Sequence, residues 1–172
     1  MNLEDAIYEY CLKNGKFPIS DGNYVSSWID LYPLTCSRKF SDMITESLSR
    51  KLFSHSWKFD YVAGKELHGS LLASNLINKC KWLDSDLVIV RKEDNVIKTP
   101  YQLDPNSTKC ILVDEIISSG VNMESSIKTL INAGFEVTGI LSVVYRGGGA
   151  KEKAEGVGIP FDYLYMIPEE VI

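Results

Sequence analysis

The sequence predicts an α/β fold in which a mostly parallel central sheet carries helices on both faces. Short apolar runs of buried-strand length, at residues 87–90, 110–113 and 137–145, alternate with stretches of helical periodicity. Each run is followed directly by charged residues. Ligands of such sheets bind outside the carboxyl ends of the strands, so we expect these ends to converge on one crevice that holds the functional site.

The length and composition fit a single globular domain. The chain has 172 residues, enough for one substantial core, and contains no repeat, linker or low-complexity tract. With 45% hydrophobic and 24% charged residues, the composition is ordinary. The net charge of -5 excludes the electrostatic footprint expected for binding to nucleic acid or to an anionic membrane. A phosphate-rich ligand would need local cations or Mg²⁺ to offset this acidity.

Cysteine usage and the N-terminal pattern predict a cytoplasmic protein. The four cysteines are widely spaced without a CxxC pair, so we expect buried free thiols rather than disulfides or a zinc site. The N-terminus lacks the basic segment and apolar run of a signal peptide. No apolar stretch approaches the length that spans a membrane.

The N-terminal residues predict a helix followed by a hairpin. Apolar residues recur at helical spacing, and Gly15 is placed to end that helix. Residues 20–30 then combine a turn signal at Asp21-Gly22 with an extended aromatic run. We expect a surface hairpin that is packed by Trp28.

Residues 37–80 predict a helix, a strand and a second helix. The first helix starts near Ser37, and a short apolar strand covers residues 59–63. A glycine-flanked loop at 64–69 leads into the second helix at 70–80. Strand, glycine-flanked loop and helix together make a candidate cradle for an anion.

The second half of the chain continues the alternation of strands and helices. Residues 94–108 contain prolines and no periodicity, so they predict a loop long enough to be mobile or functional. The helix that follows the 110–113 strand closes at Gly134. A short helix at 150–155 and a last strand at 161–167 complete the predicted elements.

The stretch after strand 110–113 is the strongest candidate site. Asp114 and Glu115 stand where the strand would leave the sheet, and an amphipathic helix opens nearby with Asn122 as its N-cap. Hydroxyls and a glycine lie between them, at Ser118, Ser119 and Gly120. Free N–H groups and the helix dipole favour a phosphate, while paired carboxylates suit Mg²⁺ or ribose hydroxyls. Such strand ends also occur in α/β proteins that bind nothing, so the stretch alone leaves both interpretations open.

Residues 111–121 resemble the phosphoribosyl pyrophosphate signature of type I phosphoribosyltransferases. That signature is an apolar strand, two acidic residues, two apolar residues and then a Thr/Ser- and Gly-rich phosphate loop. Glu115 replaces the more usual second Asp, and Val121 stands where a small or hydroxyl residue is common. From about Ser20 onward, further residues resemble the orotate phosphoribosyltransferase branch. They are Gly22, Trp28, Ile29 and Asp30 of its N-terminal hood, Arg91-Lys92-Glu93 at a strand end, and Arg146.

Three departures from the family pattern remove positive charge where pyrophosphate would leave. Tyr24 occupies the position of a basic hood residue, and His68 stands where a Lys is usual. The family's Lys-Asp-His-Gly loop reads Asn95-Val96-Ile97-Lys98 here, so only the displaced Lys98 could stand in. Because a histidine is only partly charged near neutral pH, we expect pyrophosphate attraction to weaken at alkaline pH.

The resemblance implies the type I phosphoribosyltransferase fold, as one domain with a small hood over about residues 1–36 and a core over about 37–172. It also implies transfer of a ribosyl 5-phosphate from phosphoribosyl pyrophosphate to orotate or a related pyrimidine base, giving the nucleoside 5′-monophosphate and pyrophosphate. Mg²⁺, held mainly by the ligand and water, is the implied cofactor, with Asp114 and Glu115 as candidate protein ligands. A homodimer is implied because the family's mobile loop reaches into the neighbouring subunit's site.

The resemblance assigns roles to individual residues. The implied catalytic set is Asp114 and Glu115, which would hold the ribose hydroxyls, together with Lys98 as the loop cation. The residues implied in binding phosphoribosyl pyrophosphate are His68, Gly69, Arg91, Lys92, Ser118, Ser119, Gly120, Val121 and Asn122. The base would be received by Ser118 and Arg146.

Two other functions stay open from the sequence. One is a phosphoribosyltransferase-like binding module that senses phosphoribosyl pyrophosphate or a nucleotide without turning it over, which the lost positive charges favour. The other is a phosphoribosyltransferase for a different base, which needs only a changed hood. The acidic pair, Ser118 and Arg146 favour the orotate-type enzyme, since a pure sensor has less need of a base pocket.

Overall fold

Strands and helices alternate through most of the chain, as the apolar periodicity predicts. The structure is a computed structural model that describes residues 1–19, 22–91, 97–99 and 108–172. The strands are β1 Leu12–Pro18, β2 Tyr24–Ile29, β3 Tyr61–Lys65, β4 Asp86–Val90, β5 Ile97–Lys98, β6 Lys109–Ile117, β7 Glu136–Tyr145 and β8 Phe161–Met166. The helices are α1 Leu3–Ala6, which runs into a π-helical turn at Ile7–Cys11, α2 Tyr32–Thr35, α3 Arg38–Ser54, α4 Glu66–Lys79, α5 Val121–Asn132 and α6 Ala150–Gly156.

The main sheet has the strand order β5-β4-β3-β6-β7-β8 and is parallel except for the edge strand β5. Successive residues of a strand face opposite sides. Val62 and Ile111 share an apolar cluster with helices α1 to α4, whereas Ala63 and Leu112 share one with α5 and α6. The predicted fold class, a mostly parallel sheet with helices on both faces, is therefore confirmed.

The connections place a topological switch between β3 and β6. Gly64 of β3 pairs with Ile89 of β4 on one side and with Val113 of β6 on the other. The chain leaves β3 through α4 toward β4, whereas it leaves β6 through α5 toward β7. A crevice opens where connections diverge in this way, and open α/β sheets bind their ligands there.

The expected hairpin forms, but the first helix ends earlier than predicted. β1 and β2 pair antiparallel, with Phe17 packed against Trp28 at 6.4 Å between ring centroids. Gly15 lies inside β1, so the prediction that it ends the helix is wrong. The helical segment stops at Cys11 because the Asp30 N–H donates to its carbonyl at 3.0 Å, which draws the next residues into the hairpin.

A closing segment, defined as residues 167–172, ties the hairpin to the main sheet. The Ile167 N–H donates to the Tyr145 carbonyl at 3.0 Å, at the end of β7. Farther along, the Ser26 N–H of β2 donates to the Glu170 carbonyl at 2.9 Å. The segment therefore crosses directly over the end of β7 on its way to the hairpin.

β6 is longer than the predicted apolar run. It continues to Ile117 because β7 is long enough to pair with it up to Tyr145. The prediction that the two carboxylates stand where the strand leaves the sheet is therefore wrong. Asp114 and Glu115 lie inside β6, where the pairing with β7 holds the Asp114 backbone in place.

The two helices beside the crevice do not begin where predicted. α4 begins at Glu66, so His68 belongs to its first turn rather than to a loop. α5 begins at Val121, and its N-cap is Gly120 rather than the predicted Asn122. Gly120 has a φ of 81°, a left-handed conformation that glycine adopts without the steric cost of a Cβ.

Part of the predicted loop at 94–108 is a strand. β5 pairs antiparallel with β4, and Lys98 lies opposite Ile89. The edge of β4 explains this departure, since unpaired N–H and C=O groups there can be satisfied by an added strand. The predictions for Asp21, for Lys92 and for residues 100–107 fall outside the described residues.

All four cysteines are free, and three of them are buried. Burial raises the pKa of the Cys11 thiol to about 11 and that of Cys110 to about 12, so both are held as unreactive thiols. Cys36 is exposed, which differs from the expectation that the thiols are buried. Within the described part of the chain, no helix has both the length and the apolar character needed to cross a membrane.

The contact between β3 and α4 leaves no room for a side chain at Gly64. A Cβ there would overlap the Gly69 carbonyl group, and a Cβ at Gly69 would lie 2.8 Å from the Val113 carbonyl oxygen. We expect Gly64→Ala to lower the free energy of unfolding by about 2 kcal/mol or more, because the helix must move off the sheet. Urea denaturation measures this loss. Gly156→Ala is the control, since nothing lies within 4 Å of a Cβ there; equal losses in both variants would contradict the packing argument.

Candidate active site

Asp114 and Glu115 flank the crevice from the two faces of β6. Because strand residues alternate, Glu115 points with Val113 toward α4, and Asp114 points with Leu112 toward α5. The Glu115 N–H donates to Asp114 Oδ1 at 2.9 Å. Two carboxylates on either side of one strand can accept hydrogen bonds from two hydroxyl groups of a single ligand.

Burial shifts the pKa values of both carboxyl groups upward. It raises the pKa of Asp114 to about 7, an effect that the Glu115 N–H and the Lys65 charge reduce. Burial also raises the pKa of Glu115, against the opposing effect of His68. A carboxyl group with a pKa raised by burial in this way is a candidate for a functional residue.

His68 pairs with Glu115 instead of standing in an open loop. Its Nδ1 contacts Glu115 Oε1, and its ring packs edge-on against Tyr32 of α2 with 3.8 Å between ring centroids. The other oxygen, Glu115 Oε2, is buried and has no hydrogen-bond partner among the described residues. The structure thus brings His68 to the acidic pair and leaves one carboxylate oxygen able to accept from a ligand.

The loop between β6 and α5 brings two hydroxyl groups to the N-terminus of a helix. Ser118 and Ser119 precede Gly120, whose left-handed φ turns the chain into α5. The N–H groups of Val121 and Asn122 in the first turn have no acceptor within the helix, so they can bind an anion. The five predicted phosphate-loop residues therefore meet at one helix N-terminus, a few residues beyond the acidic pair.

Lys65 brings a cation to this loop, although the sequence analysis assigned it no role. It ends β3, and its Nζ donates to the Asn122 carbonyl oxygen at 3.3 Å. Its charge also lowers the pKa of Asp114, which keeps more of that group ionised. The signal that could have identified Lys65 is its place at the carboxyl end of a central strand.

Arg146 is buried at the end of β7 and is held by the hairpin. Its side chain is 3% exposed, and Nη2 donates to the Ser27 carbonyl at 3.1 Å and to Ser27 Oγ at 2.9 Å. Nη1 is buried and finds no hydrogen-bond partner within the described ranges. Burial lowers the pKa of Arg146, while the neighbouring Glu169 raises it. No sequence signal pointed to Ser27 as the residue that orients this guanidinium.

Glu169 of the closing segment joins the two predicted base-binding residues. Its Oε2 lies 3.6 Å from Arg146 Nε, and its Oε1 accepts a hydrogen bond from the Ser118 hydroxyl. The Glu169 N–H also donates to the Arg146 carbonyl at 3.0 Å. The structure thus brings Ser118 and Arg146 together, and it does so through a carboxylate that the sequence analysis missed.

The other predicted cations lie farther from the acidic pair. Arg91 follows β4 and faces Glu66, with 4.0 Å between Nε and Oε2. Lys98 in β5 is three strand spacings from β6, about 14 Å. Lys92 lies outside the described residues. In this chain it is His68, rather than Arg91 or Lys98, that contacts the acidic pair.

The acidic pair offers the kind of ligands that Mg²⁺ prefers. Among the described residues, no group of three or more His, Cys, Asp and Glu side chains forms a metal site by itself. Mg²⁺ commonly binds one or two carboxylates and takes its remaining ligands from substrate phosphates and water. The unpartnered Glu115 Oε2 and the carboxylate of Asp114 fit this mode of binding.

No family model matches the sequence, but individual relatives do. The chain is 32% identical over 164 residues to the orotate phosphoribosyltransferase of Pyrococcus furiosus, covering 94% of this chain and 88% of the relative. Leishmania donovani UMP synthase has a TM-score of 0.82 at 23% identity, over 96% of this chain and 35% of that longer chain. Mycobacterium tuberculosis orotate phosphoribosyltransferase in complex with 5-phospho-α-D-ribosyl 1-diphosphate has a TM-score of 0.69 at 23% identity, over 81% and 80% of the two chains.

The structural likenesses concern the fold, which is that of phosphoribosyltransferases and matches the predicted one. The Pyrococcus relative shows more, because 32% identity extends over nearly the whole of both chains. The roles of the acidic pair, the Ser/Gly loop and Arg146 stay predictions from the family resemblance. The chain belongs to the orotate phosphoribosyltransferase family.

Proposed function

We propose that this chain transfers the ribosyl 5-phosphate of phosphoribosyl pyrophosphate to orotate, giving the nucleoside 5′-monophosphate and pyrophosphate. The observation that carries the proposal is the continuous path from the carboxylates of β6 into the phosphate loop at the start of α5, with Arg146 beside it. Family membership supports the same activity. The Mycobacterium tuberculosis relative in complex with the ribosyl donor supports the choice of donor.

The donor lies along the end of β6 and the start of α5. Its 5-phosphate accepts hydrogen bonds from the Ser119 hydroxyl and from the N–H groups of residues 120–122. Its ribose hydroxyls donate to Asp114 and Glu115. Both carboxylates then lie close to the positive charge that develops on the ribose in an oxocarbenium-like transition state, which they stabilise.

The base lies between the phosphate loop and the hairpin. Arg146 binds the carboxylate of orotate through a charge-assisted hydrogen bond, and the otherwise unpartnered Nη1 is available for it. Ser27 holds the guanidinium in place from the side of β2. Ser118 contributes its hydroxyl at the border between the base and the 5-phosphate.

Mg²⁺ completes the proposed donor site, with Asp114 and Glu115 as its candidate protein ligands. When bound, the ion offsets the charge of the pyrophosphate and stabilises it as a leaving group. His68 and Arg91 add positive charge or hydrogen-bond donors near the pyrophosphate, and the role of Lys92 stays a prediction from the sequence. The cytoplasmic location expected from the sequence stays a prediction.

We propose further that the protein is a homodimer and that Lys98 acts in the neighbouring subunit's site, since it lies far from Asp114 of its own chain. We expect Lys98→Ala to lower kcat about tenfold through loss of one cation near the leaving group. Lys39→Ala, at an exposed position on α3, is the matched control. Mixing Lys98→Ala with Asp114→Asn should restore part of the activity, because a hybrid dimer contains one intact site. Unchanged kcat, or no recovery after subunit exchange, would remove Lys98 from this role.

The loss of orotate absorbance on mixing the protein with orotate, phosphoribosyl pyrophosphate and Mg²⁺ tests the proposed function, with calorimetric titration of each ligand alongside. Turnover supports the enzyme. Binding of the donor without turnover would favour another base or a sensor, and a panel of bases separates these two. If neither ligand binds, the assignment of residues 114–122 as a phosphate site fails.

A further inference from the structure

Glu169 stands where the proposed function places the carboxylate of the base. One of its oxygens accepts from the Ser118 hydroxyl and the other lies 3.6 Å from Arg146 Nε, which are the two residues assigned to the base. The side chain is only 19% exposed. Its position is set by the backbone, because the Glu169 N–H donates to Arg146 and the Glu170 carbonyl accepts from Ser26.

The positive charge of Arg146 can neutralise only one carboxylate in this pocket. Arg146 brings one positive charge, and Glu169 already neutralises it. A carboxylated base would bring a second negative charge close to the first in a largely desolvated place, where like charges repel strongly. The Ser118 hydroxyl has a single proton to donate, so it can bind only one of the two carboxylates.

We propose that Glu169 is a specificity-determining residue of the base site. A carboxylated base or nucleotide must displace its side chain from Arg146 and Ser118, whereas an uncharged pyrimidine leaves it in place. The affinity for a carboxylated ligand is therefore lower than Arg146 alone would provide, and the Glu169 side chain is the part of the closing segment that enters the binding site. This inference rests on the proposed function for the position of the base.

Glu169→Gln separates the competing charge from the shape of the side chain. The amide oxygen can still accept from Ser118, but the negative charge beside Arg146 is gone. We expect the Kd of orotidine 5′-monophosphate to fall about tenfold, and that of uridine 5′-monophosphate to stay within about twofold, since a charged hydrogen bond contributes roughly this much. Calorimetric titration of the two nucleotides measures the ratio of their dissociation constants without requiring turnover. Glu170→Gln removes the same charge from the exposed neighbouring residue and should leave both constants unchanged.

Glu169→Asp provides a second variant that keeps the charge but withdraws it from Arg146 by one methylene. We expect it to shift the nucleotide ratio in the same direction by about threefold, which keeps the test decisive if Glu169→Gln folds poorly. If the ratio of the two dissociation constants is unchanged in the variants that fold, or if orotidine 5′-monophosphate binds more weakly, the inference is overturned. Binding of uridine 5′-monophosphate would in that case leave the proposed function standing. If no folded form of the protein binds either nucleotide, the proposed function fails and the inference fails with it.

Discussion

Asp114→Asn is expected to lower kcat by roughly 10²- to 10³-fold, because the amide keeps the shape of the side chain but loses the charge that faces the developing oxocarbenium ion. Steady-state consumption of orotate measures the loss. Asp42→Asn is the control, since Asp42 is exposed on α3 and pairs with Lys79 away from the crevice. Unchanged turnover in Asp114→Asn would remove the residue from the site.

The pH dependence of the free energy of unfolding distinguishes the expected loss of kcat in Asp114→Asn from a folding defect. The pKa of Asp114 is about 7 in the folded chain, against 3.8 for the unperturbed group. The folded chain therefore keeps a proton that the unfolded chain loses, and stability falls as pH rises between about 4 and 7. Above this window the cost is at most about 4 kcal/mol. In urea denaturation, Asp114→Asn should match the original chain at about pH 4 and be more stable above about pH 7.

The same ionisation should appear in the activity of the original chain. Only the ionised form of Asp114 carries the negative charge that stabilises a positive charge on the ribose, so kcat/KM for the donor should rise as pH passes through about 7. The residual activity of Asp114→Asn should lack this rise. A flat profile of kcat/KM across neutral pH in the original chain would show that activity does not depend on an ionisation of Asp114 near pH 7.

Arg146→Ala is expected to raise the KM for orotate by roughly 10- to 100-fold, because the carboxylate of the base loses its charge-assisted partner. Binding of phosphoribosyl pyrophosphate should stay within about twofold, since the donor contacts lie on β6 and α5. Steady-state kinetics with varied orotate and calorimetric titration of the donor measure the two effects. If donor binding weakens as much as base binding, the assigned role is wrong.

The same variant should also destabilise the fold, which a purely ligand-binding residue would not do. Removing Arg146 leaves Glu169 partly buried without its positive partner, and Ser27 loses two hydrogen bonds. Breaking such a pair from one side costs about 3 kcal/mol. Arg50→Ala breaks an exposed pair with Glu46 on α3 and should cost less than about 1 kcal/mol.

The fold class and the Ser/Gly loop before α5 could be predicted because both depend on residues that are close together in the chain. The apolar run at 137–145 predicts a strand whatever its position in the sheet. The stretch from Asp114 to Gly120 carries its candidate ligand groups in a contiguous motif. Element ends were less predictable. β6 extends beyond its apolar run because β7 pairs with it. Gly15 lies in a strand because Asn14 and Phe17 on either side of it pair with β2.

By itself, the sequence determined which chemical groups this protein has and which strand or helix each of them follows. Tertiary structure decided which groups contact one another and what charge they carry. Glu169 and Ser27 reach Arg146 from the closing segment and from the hairpin, and no local pattern encodes a pair so distant in the chain. The pKa of Asp114 likewise depends on burial by the whole fold, since desolvation acts on a carboxyl group only once the surrounding elements have packed.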